Sequence, residues 1–182
     1  HANNTGVDGP NPYSPGVNWG GYVGGSNDQH NIKSLTGFVH IAATWDGQYA
    51  KLYINGALKR TADTDGTGRT IEYAGGSTNH ELMIGADLGT GDDGGAEFYD
   101  GLIDDVAVWD AAIDADGIAK IYNNGPLGTV LTAADGDYDN QGDLQGWWKL
   151  SEGTGTSAAD SSTNSNTGTL VNGPAWSTIT VG

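Results

Sequence analysis

Residues 38–61 read FVHIAATWDGQYAKLYINGALKRT, and this stretch decides the fold. Apolar residues alternate with other residues in two runs, which are Val39, Ile41, Ala43 and Trp45, then Ala50, Leu52 and Ile54. Alternation at every second position is typical of a β-strand with one buried face. The turn pair Asp46-Gly47 separates the two runs, so we expect two antiparallel strands here.

A hairpin follows directly, because Asn55-Gly56 stands between the second run and Ala57–Thr61. Asn-Gly favours the two-residue turn whose twist matches that of paired strands. Outside this stretch, similar patterns predict strands at Arg69–Tyr73, Glu81–Gly85, Leu102–Trp109, Gln145–Leu150 and Thr167–Val171. One short helix is also expected. Asp114 can cap its start, Asn123-Asn124-Gly125 can end it, and its apolar side is Ile118, Ile121 and Tyr122.

The composition supports an all-β domain and excludes several classes of protein. The chain has 31 glycines in 182 residues, no cysteine, and a formal net charge of −16. Many glycines without a collagen period indicate many tight turns. The acidic balance argues against nucleic-acid binding, which needs a basic surface, and the lack of cysteine excludes disulfides. No apolar run reaches the about 20 residues of a membrane helix, so we expect no membrane insertion.

Several of these segments, taken in order, resemble the laminin-G-like, concanavalin A-like jelly rolls. The matching strings are HIAATWDG at 40–47, LYING at 52–56, MIG at 83–85, GLIDDVAVW at 101–109 and the helical stretch 111–125. The resemblance implies an all-β, two-sheet antiparallel jelly-roll sandwich, here with one short α-helix. It also implies, commonly, a calcium ion and carbohydrate or protein ligands.

The tail carries a second resemblance to the same family. LQGWWKLSEGTG at 144–155 and DSSTNSNTGTL at 160–170 are similar to the opening of such a domain, although here they follow the core. We favour a single permuted jelly roll over 1–182, since a half-domain would expose unpaired strand edges. Its parts would be a Gly/Pro-rich loop region 1–36, core strands and helix 37–126, an acidic connection 127–143, and tail strands 144–182. There are two alternatives. The chain starts inside one domain and ends inside a second, or a neighbouring chain donates a missing strand.

A calcium site is predicted from four oxygen-bearing residues. Asp104 falls in the apolar row of the predicted strand Leu102–Trp109, where an unpaired carboxylate is costly. Asp160, Asn164 and Asn166 lie in one polar loop. Ca²⁺ takes six to eight oxygen ligands in a flexible arrangement, and the family resemblance favours it. The alternative is a hydrogen-bonded turn held by Asp160, with Asp104 capping backbone amides.

A second acidic string, DGDYDNQGD at 135–143, has spacings like those of an EF-hand loop. Asn140 replaces the turn glycine, however, and Gly146 stands where a bidentate glutamate is needed. We interpret this string as a solvated acidic linker.

Glycan contact is predicted from three aromatic residues in the Gly/Pro-rich loop region: Tyr13, Trp19 and Tyr22. Aromatic faces stack on the apolar faces of sugars. The alternative is that these rings fold back over the core. The indoles of Trp45, Trp109 and Trp148 are assigned to the core, whereas Trp147 would point the other way from Trp148, to the surface or over a sheet edge.

Catalysis is not expected. A glycosidase needs two carboxylates about the scissile bond, and the Glu-x-Asp-x-x-Glu strand of some jelly-roll enzymes does not occur. The sequence therefore predicts a non-catalytic, calcium-stabilised recognition module that binds glycans or mediates adhesion, in an extracellular, cell-surface or virion setting. The alternatives are a structural or assembly protein of a virion or surface fibre, pairing with a neighbouring chain or with itself through strand edges, and a polysaccharide-active enzyme.

Overall fold

The structure is a computed structural model that describes residues 35–63, 82–87, 97–125 and 130–177. Its strands in chain order are β1 Ile41–Trp45, β2 Tyr49–Ile54, β3 Ala57–Asp63, β4 Ala86–Asp87, β5 Glu97–Phe98, β6 Val106–Trp109, β7 Leu144–Trp148, β8 Ser157–Ala158 and β9 Gly168–Thr169. A single α-helix, α1, spans Ala115–Asn124 within these ranges, and a 3₁₀ turn covers Asn140–Asp143.

The chain divides into two compact units. The first comprises His1–Arg69 and Trp109–Asp143, and the second comprises Thr70–Val108 and Leu144–Gly182.

The first unit contains an antiparallel sheet of three consecutive strands, in the order β1-β2-β3. Ile41 lies opposite Ile54, and Ala43 lies opposite Leu52, so the predicted apolar rows share one face. The turn at Asn55-Gly56 has the positive φ angles, 50° and 72°, that the two-residue hairpin requires. The predicted strands and turns of this stretch are therefore confirmed. The apolar row of β1 is not a buried face, however, since Ile41 is 46 % exposed and Ala43 is exposed.

Helix α1 begins and ends where the sequence indicated. The Asp114 carboxylate accepts a 2.8 Å hydrogen bond from the backbone N–H of Gly117. Gly125 ends the helix with a φ of 69°, and its N–H donates to the carbonyl of Tyr122. Of the predicted apolar side, Ile118 is buried and Tyr122 stays exposed. Side-chain capping and a glycine end thus fix both boundaries.

The core of the first unit includes a tyrosine that the sequence did not indicate. Tyr138 is 0 % exposed although it lies in the predicted acidic linker. Its hydroxyl accepts a 3.1 Å bond from the indole N–H of Trp109 and donates at 2.8 Å to the carbonyl of Leu131. Tyr138 and Leu131 thus pack into the first unit, whereas Asp135, Asp137 and Asp139 of the predicted acidic linker are exposed. The other buried apolar residues are Ala50, Leu52, Tyr53, Ile54, Ile113, Ile118 and Leu131.

The second unit is built from short two-stranded pairs. β4 pairs antiparallel with β5, β8 pairs antiparallel with β9, and β6 pairs with β7. Its buried apolar residues are Leu144, Trp147, Trp148 and Ala158.

Three predictions from the alternation fail in the second unit. The strand predicted to end at Gly85 starts instead at Ala86, because Gly85 adopts a φ of 79°. The strand predicted over Leu102–Trp109 begins only at Val106, since Asp105 has a φ of 49° and breaks the extended backbone. Trp147 is 5 % exposed and is buried together with Trp148, so the predicted surface position is wrong, whereas nothing tests the alternative, in which it covers a sheet edge. The predicted strand at Arg69–Tyr73 lies outside the described residues. What the described residues establish is a mostly antiparallel β protein with one helix.

Candidate functional site

The Asp160 loop, residues 160–166, is joined by several hydrogen bonds within itself and to β7. One oxygen of its carboxylate, Oδ1, accepts from the backbone N–H groups of Trp147 and Ser162, each at 2.8 Å. The other, Oδ2, accepts from the Ser162 hydroxyl at 2.8 Å and the Asn166 N–H at 2.7 Å. The bond to Ser162, two residues on, is the Asx-turn expected of aspartate in a tight loop. One side chain therefore closes the loop on itself and ties it to β7.

The electrostatics of Asp160 follow from these bonds. Burial acts to raise the pKa of this carboxyl, but the backbone donors of Trp147, Ser162 and Asn166 favour the charged form and outweigh it. The net result is a pKa below the usual value for aspartate. The loop is thus held by an ionised carboxylate at neutral pH.

Asn164 and Asn166 complete the attachment of the loop to β7. The Asn164 amide donates to the carbonyls of Leu144 and Gln145 at 3.0 and 3.2 Å. The Asn166 amide donates to the carbonyl of Gln145 at 2.8 Å. Three of the four predicted calcium ligands, Asp160, Asn164 and Asn166, therefore lie in one loop against one strand.

The fourth predicted ligand, Asp104, has a local role in the same unit. Its Oδ1 accepts a 3.1 Å bond from the N–H of Asp105. The next carboxylate is the one that reaches β7, since Asp105 accepts from the indole N–H of Trp147 at 3.2 Å. Burial raises the pKa of Asp105, while that indole bond acts in the opposite direction. Lys149 also contacts Trp147, since its Nζ lies 4.2 Å from the centroid of the indole ring.

Asp105 is a residue that the sequence analysis missed. The alternating pattern directed attention to Asp104, because a regular strand would turn Asp105 to the other face. Because Asp105 has a positive φ, the backbone there is not a regular strand, and the alternation of faces does not apply to it. The pair Asp104-Asp105 before an apolar run could have indicated that the strand starts later. Aspartate adopts the left-handed region more readily than most residues do.

The fit of this loop to a calcium ion can be judged from its hydrogen bonds. A carboxylate has about four lone-pair positions, and the four bonds described above engage Asp160 fully. An ion would have to replace backbone donors that the loop uses to stay closed. Among the described residues, no group of three or more His, Asp or Glu side chains is placed to hold a metal ion. The residues as arranged do not fit a ready-made calcium site, and the calcium site stays a prediction.

The predicted glycan-binding aromatics, Tyr13, Trp19 and Tyr22, lie outside the described residues. Within the described ranges the most exposed aromatic side chains are Phe98 and Tyr99, at 61 % and 59 %. The sequence analysis did not single out either of them.

In the first unit, the acidic string 135–143 forms structural contacts. Asp135 accepts from the Asn124 amide at 2.7 Å and pairs with the Lys120 ammonium at 3.2 Å. Its backbone N–H and C=O both bond to Tyr138. These contacts fasten the string to the end of α1.

His40 shows a second feature of the first unit that the alternation did not reveal. Its ring lies 5.8 Å from that of Tyr122, and its Nδ1 is buried with no hydrogen-bond partner in the described structure. Burial lowers the pKa of His40. The imidazole is therefore held in its neutral form against α1.

The sequence comparisons identify the class of domain to which these units belong. Residues 7–119, more than half of the chain, match the family described as the concanavalin A-like lectin/glucanases superfamily. The chain belongs to this superfamily. Comparisons with curated proteins and with solved structures gave no significant match. The matched range ends before β7, so the likeness of the tail to a domain opening rests on its own residues.

A search for membrane spans covered the same described residues. None of the helices there is long and apolar enough to cross a bilayer.

Proposed function

We propose that this chain is a non-catalytic recognition domain that binds glycans or mediates adhesion at a cell or virion surface. The observation that carries the proposal is membership of the concanavalin A-like lectin/glucanases superfamily over residues 7–119. Carbohydrate binding and adhesion are frequent roles of that superfamily. Function in such folds resides in loops displayed on a β scaffold, so the loops are where a ligand is to be sought.

Several acidic side chains of the described residues accept hydrogen bonds from the backbone of turns and loops, which supports a role in presenting loops to a ligand. Asp46 accepts from the backbone N–H groups of Gln48 and Tyr49 at 3.0 and 2.6 Å, closing the turn before β2. Glu152 accepts from the N–H of Ala159 at 2.7 Å. Together with Asp114 and Asp160, these acids stabilise turns and loop ends. Carboxylates engaged in this way hold surface loops in fixed shapes, which a recognition surface needs.

The fold we propose for the whole domain is the two-sheet antiparallel jelly-roll sandwich of the family. The β1–β2–β3 meander would supply part of one sheet. The proposed recognition does not require an ion at Asp160, whose carboxylate already has four protein donors, and the calcium site stays a prediction.

An assembly role is the second candidate, and exposed apolar side chains favour it. Leu82, Phe98 and Val171 are each more than 60 % exposed. Exposed apolar side chains of this size would mark a contact with another chain where they form one contiguous patch. A structural protein of a virion or surface fibre would use such contacts with a neighbouring copy.

A glycan array probed with the labelled chain tests the proposal, with parallel light scattering for mass and a reducing-sugar assay for hydrolysis. We expect selective binding to a subset of glycans, competed by the same free oligosaccharide, without release of reducing ends. Release of reducing ends would replace the proposal by an enzyme. Concentration-dependent oligomers with no glycan bound would replace it by the assembly role.

A further inference from the structure

Tyr99 follows β5, and the hydroxyl end of its ring lies close to Gly101. A Cβ added to Gly101 would stand 2.7 Å from Cε1, 2.8 Å from Cζ and 2.8 Å from Oη of Tyr99. Three nearly equal distances put that point off the ring plane, beside the Cζ–Oη bond. Gly101 therefore lies to one side of the ring plane at the hydroxyl end of Tyr99. The residue is nonetheless 59 % exposed, so most of the ring is open to solvent.

The backbone that carries this ring is also fixed. The N–H of Tyr99 donates a 2.9 Å bond to the carbonyl of Gly85. That bond continues the β4–β5 pairing, in which Ala86 lies opposite Phe98. A side chain that is held at its backbone and meets Gly101 at its hydroxyl end loses less freedom when a ligand covers the exposed ring than a free side chain does.

We propose that the open face of Tyr99 is a stacking platform for a neutral sugar ring. This inference rests on the proposed glycan recognition and assigns it a residue. The ring of one tyrosine matches one pyranose in size, and its apolar face suits the C–H face of the sugar. Within the described residues the Tyr99 hydroxyl makes no protein hydrogen bond, and the exposed carboxylate of Asp100 follows it. Both groups can bond sugar hydroxyls at the edge of the ring.

The charge of the chain specifies the kind of sugar. With a net charge of −16, the domain repels uronic acids and sulfated glycans at long range. Asp100 adds a local negative charge beside the platform. We therefore expect neutral hexose chains as ligands, and no gain in binding from carboxylate or sulfate groups.

The test uses affinity electrophoresis of the full chain in gels that contain laminarin, galactomannan or xyloglucan, with alginate as the acidic comparison. Tyr99→Ala removes the platform. Gly101→Ala keeps the tyrosine but places a methyl where the ring lies, and Gly101 has no positive φ that alanine would strain. Tyr49→Ala is the matched control, since Tyr49 is also an exposed tyrosine but lies in the first unit. Thermal melts of all variants check that each is folded.

We expect the wild type to be retarded by at least one neutral polysaccharide. Tyr99→Ala should weaken that binding at least tenfold and Gly101→Ala several-fold, with Tyr49→Ala unchanged. If the wild type binds and a folded Tyr99→Ala or Gly101→Ala binds equally well, the platform is refuted while glycan recognition stands. Preference for alginate refutes the neutral ligand. A wild type that binds none of these polysaccharides and no glycan on the array refutes both proposals. A wild type that instead self-associates through this surface, with Tyr99→Ala monomeric, identifies Tyr99 as a protein contact.

Discussion

The β1–β3 meander and the tail, residues 144–177, are both β structures, but different bonds hold them. In the meander, each strand exchanges backbone hydrogen bonds with its neighbour along five or six residue pairs. In the tail, β8 and β9 pair over only two residues each, and the carboxylate of Asp160 supplies four further bonds. The meander thus distributes its hydrogen bonds over many equivalent backbone pairs, whereas the tail depends on a few polar side chains, of which Asp160 makes four bonds.

The largest effect is expected from Asp160→Ala. The substitution leaves the N–H groups of Trp147, Ser162 and Asn166 without their acceptor, and Trp147 is a buried residue. Loss of charged hydrogen bonds to partly buried donors should cost about 3 kcal/mol of the free energy of unfolding. Hydrogen exchange is the measurement, and the amides of Trp147 and Asn166 should lose protection while those of β2 keep theirs.

The same experiment, repeated in calcium and in EDTA, tests the predicted metal site. Because protein donors fill the Asp160 carboxylate, we expect the wild-type tail to be equally protected in both buffers. Protection that disappears in EDTA and returns with calcium would establish an ion in this loop, with Asp104→Ala as the variant to examine next.

A smaller effect is expected from Gly56→Ala in the meander. A Cβ at this position would stand 2.8 Å from Cδ1 of Tyr122, and the residue has a φ of +72°. Strain and overlap together should lower the free energy of unfolding by about 2 kcal/mol. Gly37→Ala is the control, since its φ is +78° but no atom lies within 4 Å of the added carbon. Equal losses in thermal melts of the two variants would show that the Tyr122 contact contributes nothing.

The smallest effect on the stability of the tail is expected from lowering the pH. The pKa of Asp160 is lowered in the folded protein, so its contribution is complete above the ordinary aspartate value of about 4 and is lost as the pH falls through the lowered value. Protection factors of the Trp147 and Asn166 amides should therefore fall between neutral pH and strong acid. Asp160→Asn, which cannot ionise, should remove most of that pH dependence. If Asp160→Asn keeps the pH dependence of the wild type, a group other than Asp160 causes that dependence.

The sequence was sufficient for the meander because the signals there are local. Asn55-Gly56 specifies its own turn, and alternation indicates that Ala50, Leu52 and Ile54 of β2 are buried, although it misses the buried Tyr53. Asp114 and Gly125 likewise bound α1 through groups within four residues. Nothing distant was needed to predict these elements.

The tail and the acidic string were harder to predict because their contacts are non-local. Both faces of β7 are covered, and a strand buried on both faces shows no alternation. The two indoles are satisfied separately, by Asp105 and by the carbonyl of Asn166 at 2.8 Å. Tyr138 is buried, and its hydroxyl bonds to Trp109 and Leu131. Both partners lie outside the acidic string, so its composition could not indicate these contacts. The predicted ligand residues in the first 34 positions stay predictions.

Asn55 has a consequence for the order in which this chain folds. Its side-chain oxygen accepts from the N–H of His40 at 3.0 Å, and its own N–H donates to the carbonyl of His40 at 2.9 Å. The turn residue thus also fastens the start of the first strand, which closes a loop of only fifteen residues. Closing short loops costs little chain entropy, and sequence-local contacts form fastest. We expect the meander to act as a folding nucleus that pairs before the tail does. Kinetic φ-values, which report how far a residue's contacts are formed in the folding transition state, should be high at Asn55 and low at Asp160.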